Sequence, residues 1–246
     1  MKHNRAVPVA LMFLAAAARA ESNGALTITP AVVTVHGQLG QSATQRLVLT
    51  NNTPHEHAFE LVAEDVIVKD GRRSFVPAGE IDGSIAATAI FSRNYIVIRP
   101  GETTSIDVTV SLPRAARHRG VVAIFRGATT SIGTMLTFSL SDDVAVDAGP
   151  LTVTPQTAIA NLGVRQSCSN NGHEPVVAHG VASILDPKGV LVGQIELEPR
   201  RLFPSENATI EGEYGGELQR GRYRVMLTFD LGGRKTLTRT AEVHVR

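Results

Sequence analysis

His55 and His57 stand two apart beside Pro54, with His36 upstream. If that segment were extended, both imidazoles would face one side, a placement that suits a soft or borderline metal ion. Cys168 with His173 and His179 is a second conceivable set. Neither set brings a third ligand at a fixed interval, and Pro54 marks a turn where exposed polar residues belong, so no metal site is expected. Glu64-Asp65 and Asp142-Asp143 are carboxylate pairs adjacent in sequence. On a strand, neighbours point to opposite faces, so such pairs do not act on one substrate. The chain has no Gly-x-Ser-x-Gly elbow, no His-Glu-x-x-His and no Gly-rich phosphate loop. The expectation is a protein that is not an enzyme, with no catalytic residue and no cofactor. Cys168 is the only cysteine, which rules out an internal disulfide, and its neighbours Ser167, Ser169 and Asn170 offer no base or cation to activate it. Arg114, Arg117, His118 and Arg119 follow Pro113 and read as a solvated basic loop. Asn51-Asn52-Thr53 and Asn207-Ala208-Thr209 match glycosylation sequons.

The elements that would carry these residues are strands. After Glu21, short runs rich in Val, Ile, Thr and Leu alternate with polar punctuation, and helical periodicity is nearly absent. Strands are expected at 26–35, 45–50, 58–68, 95–98, 104–111, 121–126 and 134–140. A second series is expected at 151–153, 158–164, 176–185, 191–197, 208–213, 223–230 and 235–245. In one run Ile106, Val108, Val110 and Leu112 share a face, while Asp107 and Thr109 take the other. Asn51-Asn52-Thr53-Pro54, Lys69-Asp70-Gly71, Arg99-Pro100-Gly101 and Asp186-Pro187-Lys188-Gly189 supply turns. Seven or so strands per hundred residues is the count of an immunoglobulin-like sandwich. The fold class expected is all-β, two immunoglobulin-like β-sandwiches in tandem.

The first twenty residues place the protein. Lys2 and Arg5 precede an apolar run over 7–18, which closes on Ala18-Arg19-Ala20. That is the layout of a cleaved secretory signal peptide, and the run is too short to span a bilayer. Residues 1–20 are therefore expected to be removed, and the protein to be periplasmic or otherwise exported. Removal lowers Lys plus Arg from 24 to 21 against 23 acids, a net charge of −2. Such a balance gives no basic surface for nucleic acid, and the 43% hydrophobic content excludes an acidic disordered chain.

Short echoes support two similar domains. Thr27-Ile28-Thr29-Pro30 recurs as Thr152-Val153-Thr154-Pro155, and Asn51-Asn52 recurs as Asn170-Asn171, each Asn pair soon followed by His-Glu. The boundary is expected at Ala148-Gly149-Pro150, giving domains at 21–148 and 149–246.

The first domain resembles the amino-terminal domain of periplasmic pilus-assembly (PapD-like) chaperones. The resemblance rests on ordered features: LTITPAVVTV at 26–35, QRLVLTNNT at 45–53, YIVIRPGETTSIDVTVSLP at 95–113 and GVVAIFRG at 120–127. A similar order occurs in cell-wall-associated proteins with tandem immunoglobulin-like domains. The resemblance implies binding by strand addition to a protein partner, a pilin-like subunit or other envelope protein, in assembly of surface appendages. The lent strand would be 134–140. Leu136, Phe138 and Leu140 on one face are expected to be core, leaving Met135, Thr137 and Ser139 on the partner-binding side. Members of the family carry basic residues on the first strand and where the domains meet, which grip a subunit's terminal carboxylate. The stretches 26–35 and 134–149 hold no Arg or Lys, and Asp142 and Asp143 would repel such a group. The alternative function is a structural or adhesive module that binds envelope polymer.

Overall fold

The computed structural model describes residues 24–157, 159–231 and 236–246. The expected leader at 1–20 lies outside them. Ten strands form the first sandwich: β1 Leu26–Thr29, β2 Val32–His36, β3 Ser42–Asn51, β4 His57–Lys69, β5 Arg72–Pro77, β6 Ile90–Phe91, β7 Tyr95–Ile98, β8 Thr103–Ser111, β9 Gly120–Arg126 and β10 Ser131–Ser139. Seven form the second: β11 Val146–Thr154, β12 Leu162–Asn170, β13 Val176–Leu185, β14 Leu191–Leu202, β15 Asn207–Tyr214, β16 Gly221–Asp230 and β17 Thr236–Val245.

In the first sandwich, the sheet β1-β3-β8-β6 packs on the sheet β2-β10-β9-β4-β5, with β7 also paired to β4. Period-two alternation sends Leu47 and Leu49 of β3, Phe59 and Leu61 of β4, Ile106, Val108 and Val110 of β8, and Leu136 and Phe138 of β10 into one core. Burial of such side chains contributes about 1.5–3 kcal/mol each. The second sandwich packs β11-β12-β15 on β14-β13-β16-β17, around Leu162, Ala182, Ile184, Val225, Leu227 and Phe229. The expected all-β tandem is thus the observed architecture.

Several strands differ from expectation. The run 26–35 is two strands: β1 pairs antiparallel with β3, and after Pro30, which has no N–H for a ladder, β2 pairs parallel with β10 in the opposite sheet. Strand β5 returns from the Asp70-Gly71 turn and was hidden by its arginines. Strand β12 lies later than 158–164, because its inward positions include Gln166 and Asn170 and break the apolar alternation. Residues 148 and 149, where the sequence suggests a division, fall inside β11. That strand pairs with β12 from Val146 onward, around a bulge between Ala148 and Leu151.

The echo at Asn51 and Asn170 is structural. Asn51, fully buried, donates its amide to the carbonyls of His55 (2.7 Å) and Ile98 (3.1 Å), and its side-chain oxygen accepts from Thr53 N–H (2.9 Å). Asn170, also fully buried, does the same with Glu174 (2.8 Å), Leu202 (3.0 Å) and Gly172 N–H (3.0 Å). Each then grips an equivalent corner. Asn51 N–H donates to Glu102 O and Gly101 N–H to Asn51 O; Asn170 N–H donates to Glu206 O and Ser205 N–H to Asn170 O. Glu102 accepts from Arg99 N–H at 2.8 Å, and Glu206 from Phe203 N–H at 2.9 Å. Arg99-Pro100-Gly101-Glu102 and Phe203-Pro204-Ser205-Glu206 are therefore duplicates that the sequence reading did not match. Its cue was the shared x-Pro-x-Glu spacing after a strand. Asn51, with its amide spent on two carbonyls, is closed to glycosylation.

Truncating either asparagine strands buried carbonyls. Asn51→Ala and Asn170→Ala are each expected to lower stability by about 2–3 kcal/mol in urea unfolding, with additive effects because the two sites share no partner.

Candidate partner-binding border and interdomain cleft

Strand β10 is the expected lent strand, and its faces are as predicted: Leu136 and Phe138 are buried, and Leu140 packs against the core. Its border is not. Met135, Thr137 and Ser139, expected as the exposed partner-binding edge, lie where β2 covers β10, in register Met135↔Val32, Thr137↔Thr34 and Ser139↔His36. Thr137 is fully buried, its hydroxyl donating to Val33 O. The correction follows from the sheet switch at Pro30, which delivers a second strand to β10 only from Met135 onward. Before that point, Ser131–Gly133 pair with β9 alone, and no described strand is hydrogen-bonded to their other side. Met135 N–H reaches Ala31 O across that side, so by alternation the N–H groups of Gly133 and Ser131 turn to the open border. Strand β2 ends the sheet, and Val32 on it is 46% exposed.

Lower on the same face, the row Thr137, Gly120 and Val66 meets the second domain. Phe203 lies over Gly120 so closely that a Cβ there would stand 2.5 Å from the ring, which is why this position needs glycine. The Arg73 guanidinium stacks on Phe203 at 4.8 Å, donates to Arg201 O at 2.8 Å and pairs with Glu206 at 3.0 Å. The β4–β5 hairpin tip accepts from Asn207 N–H at Gly71 O, 2.8 Å away. Glu174, 3% exposed, accepts from Leu140 N–H at 2.9 Å and so ties down the connection between the domains.

Arg201 of β14 reaches the covered part of β10 and donates to the Thr137 hydroxyl at 3.0 Å. Burial lowers its pKa from the ordinary guanidinium value, and the neighbouring charge of Arg73 lowers it further. Glu206 serves Arg73, and among the described residues Arg201 has no carboxylate partner. The stretches 26–35 and 134–149 hold no Arg or Lys, and the cation beside β10 comes from the other domain, through a fold contact no local motif encodes.

The remaining candidates are structural in placement. Burial pushes the Cys168 thiol up to about 11, so it stays protonated. His57 stacks on Phe59 and bonds the Thr53 hydroxyl at 2.9 Å, while His55 lends its carbonyl to Asn51. Among the described residues, no cluster of three His, Cys, Asp or Glu has metal-binding geometry. The basic loop is only partly solvated: His118 turns inward to Asp65 at 2.8 Å, and Arg119 donates to the carbonyls of Ala116 and His118. Asp65 is wholly buried and also accepts from Ser84 Oγ, Ile85 N–H and Ala86 N–H. Burial alone would raise its pKa; the bonds from His118, Ser84 and Ala86 outweigh that and hold it below the usual carboxylate value.

No family model matches this chain, and no curated protein matches it. Among solved structures it is similar to the class 5 fimbriae chaperone CfaA, at 11% identity and TM-score 0.44 over 88% of this chain and 98% of that one. It is similar to the Pseudomonas aeruginosa CupB2 chaperone at 14% identity and TM-score 0.42, over 87% and 99%. A third likeness is to the CsuC–CsuE chaperone–tip adhesin pre-assembly complex of Acinetobacter baumannii, at 9% identity and TM-score 0.44, over 88% and 98%.

Two outcomes follow. A depressed Asp65 leaves the unfolded chain binding more protons, so its contribution is complete above about pH 4 and is lost as pH falls through the folded value. Urea unfolding of Asp65→Asn should show a shallower acid limb below about pH 4 than the parent protein. A double-mutant cycle of Arg73→Met and Glu206→Gln should give a coupling of about 1–2 kcal/mol, discounted from a fully buried pair because Arg73 is partly exposed.

Proposed function

We propose that this protein is an exported, non-enzymatic chaperone that binds a protein partner by adding the partner's strand to an open sheet border. The observation that carries this reading is the border of β10 at Ser131–Gly133, which precedes the pairing with β2 and to which no described strand is hydrogen-bonded. An unpaired row of N–H and C=O groups on a rigid sheet is a template for an incoming strand, with main-chain bonds giving affinity. Met135 on the outer face beside that border, with Val122 and Ile124 on β9, offers apolar side chains for the partner's alternate positions. Arg201 supports the second half of the reading. A part-buried guanidinium with no carboxylate partner among the described residues, bonded to Thr137 four residues beyond Gly133 on the same strand, suits a carboxylate at the partner's end. A subunit whose sandwich lacks a strand combines both features, which points to assembly of a surface appendage.

The test is capture of a pilin-like, strand-deficient partner by the purified protein. Ser131→Pro removes one N–H from the open border without touching the β9 ladder. It is expected to weaken capture about tenfold or more while the melting temperature stays within about 2 °C. Arg201→Met should weaken capture of a partner with a free terminal carboxylate and leave an amidated one unaffected. Undiminished capture by Ser131→Pro would overturn the strand-addition reading.

A further inference from the structure

A cavity of about 310 Å³ opens where the end of the first sandwich meets the second domain's corner. Neither Arg201 nor Thr137 lines it, so it is distinct from the cleft contact described above. Its volume lies at the small end of the range for small-molecule sites. The lining divides by chemistry. Val66, Ile67, Val68, Ile81 and Phe203 supply apolar lining, and Arg117 and Arg119 share the lining with one carboxylate, Asp82. His118 also borders it, but its ring is engaged with Asp65. Arg119 is held in place by the Ala116 and His118 carbonyls, and its Nε is buried without a hydrogen-bond partner.

The third feature is Ser205, in the same lining, whose φ is +65°. The duplicated corner of the first domain acts as an internal control. There Gly101 occupies the equivalent place with φ +75° and makes the same backbone bond to its asparagine. The fold therefore needs the left-handed backbone at this position, and a side chain is disfavoured in it. The second copy nevertheless carries a hydroxyl, and that hydroxyl makes no bond among the described residues. Ser205 is exposed and lines the cavity, so its hydroxyl is free to meet a ligand there.

We propose that this cavity binds a small carboxylate carried on an apolar body, an aryl or short alkyl acid. The apolar body rests against Phe203, Val66 and Val68. The carboxylate meets the Arg119 guanidinium and the Ser205 hydroxyl, with Arg117 adding charge at the mouth. Inorganic anions lack the apolar part and would leave the apolar lining uncovered, so they bind more weakly. No covalent step is involved, and the inference does not rest on strand addition.

The experiment is isothermal titration of the purified protein with 3-phenylpropionate, with its primary amide and with inorganic phosphate. The acid should bind saturably, and the amide and phosphate at least about tenfold more weakly. Ser205→Gly should weaken the acid by about threefold or more while the melting temperature holds or rises, since the substitution relieves backbone strain. Arg117→Gln, on an exposed and fold-neutral position, should also weaken it. Ser131→Pro should leave acid binding intact, which separates this site from the partner border. Equal binding of acid and amide, an unchanged affinity in Ser205→Gly, or no saturable heat at millimolar acid would each overturn the proposal.

Discussion

The buried carboxylate of Glu206 carries the junction on which the whole molecule depends. It caps the Phe203 N–H, and through the same oxygen it accepts from Arg73 of the other domain. Arg73 in turn stacks on Phe203 and bonds the Arg201 carbonyl. A charge this deep is tolerated only when its acceptor capacity is met, and here one carboxylate satisfies a turn and a domain contact together. Because Phe203, Arg201 and Glu206 sit on one short stretch, the local geometry of that corner sets where the second domain stands over β10.

That corner is the second copy of a device the first domain also contains. In both sandwiches a buried asparagine at the end of a strand is bonded to an x-Pro-x-Glu turn through matching pairs of groups. The first copy remains an outer turn, with the Glu102 carboxylate accepting from Arg99 N–H. The second has been turned to the interface. The two corners share the same backbone bonds and the same left-handed position, held by Gly101 in one and Ser205 in the other.

The open border of β10 depends on the same economy of backbone groups. Strand β1 begins in one sheet, and after Pro30 the chain continues as β2 in the other. The crossing pairs with the later part of β10 and leaves the earlier part's outer backbone groups without a described ladder partner. A single continuous first strand would either have covered all of β10 or none of it. The sheet switch therefore decides which residues can meet a partner, and the domain junction decides which cation stands beside them.

Much of the architecture was legible in the residues. Alternation at 105–112, the explicit turns and the β-branched runs are local signals, and period-two burial translates them directly into strands and cores. The Asn51 and Asn170 echo was readable because each Asn pair is soon followed by His-Glu, although one bond of each amide goes to a distant strand end, at Ile98 and Leu202. What a single strand borders, by contrast, is a matter of pairing between segments a hundred residues apart, as with Thr34 and Thr137. The same holds for Arg201, which lies beyond the strand expected at 191–197 and reaches Thr137 of the other domain only through the tertiary contact. Backbone periodicity is written along the chain; the register of distant strands and the meeting of two domains are settled by packing, which no local pattern records.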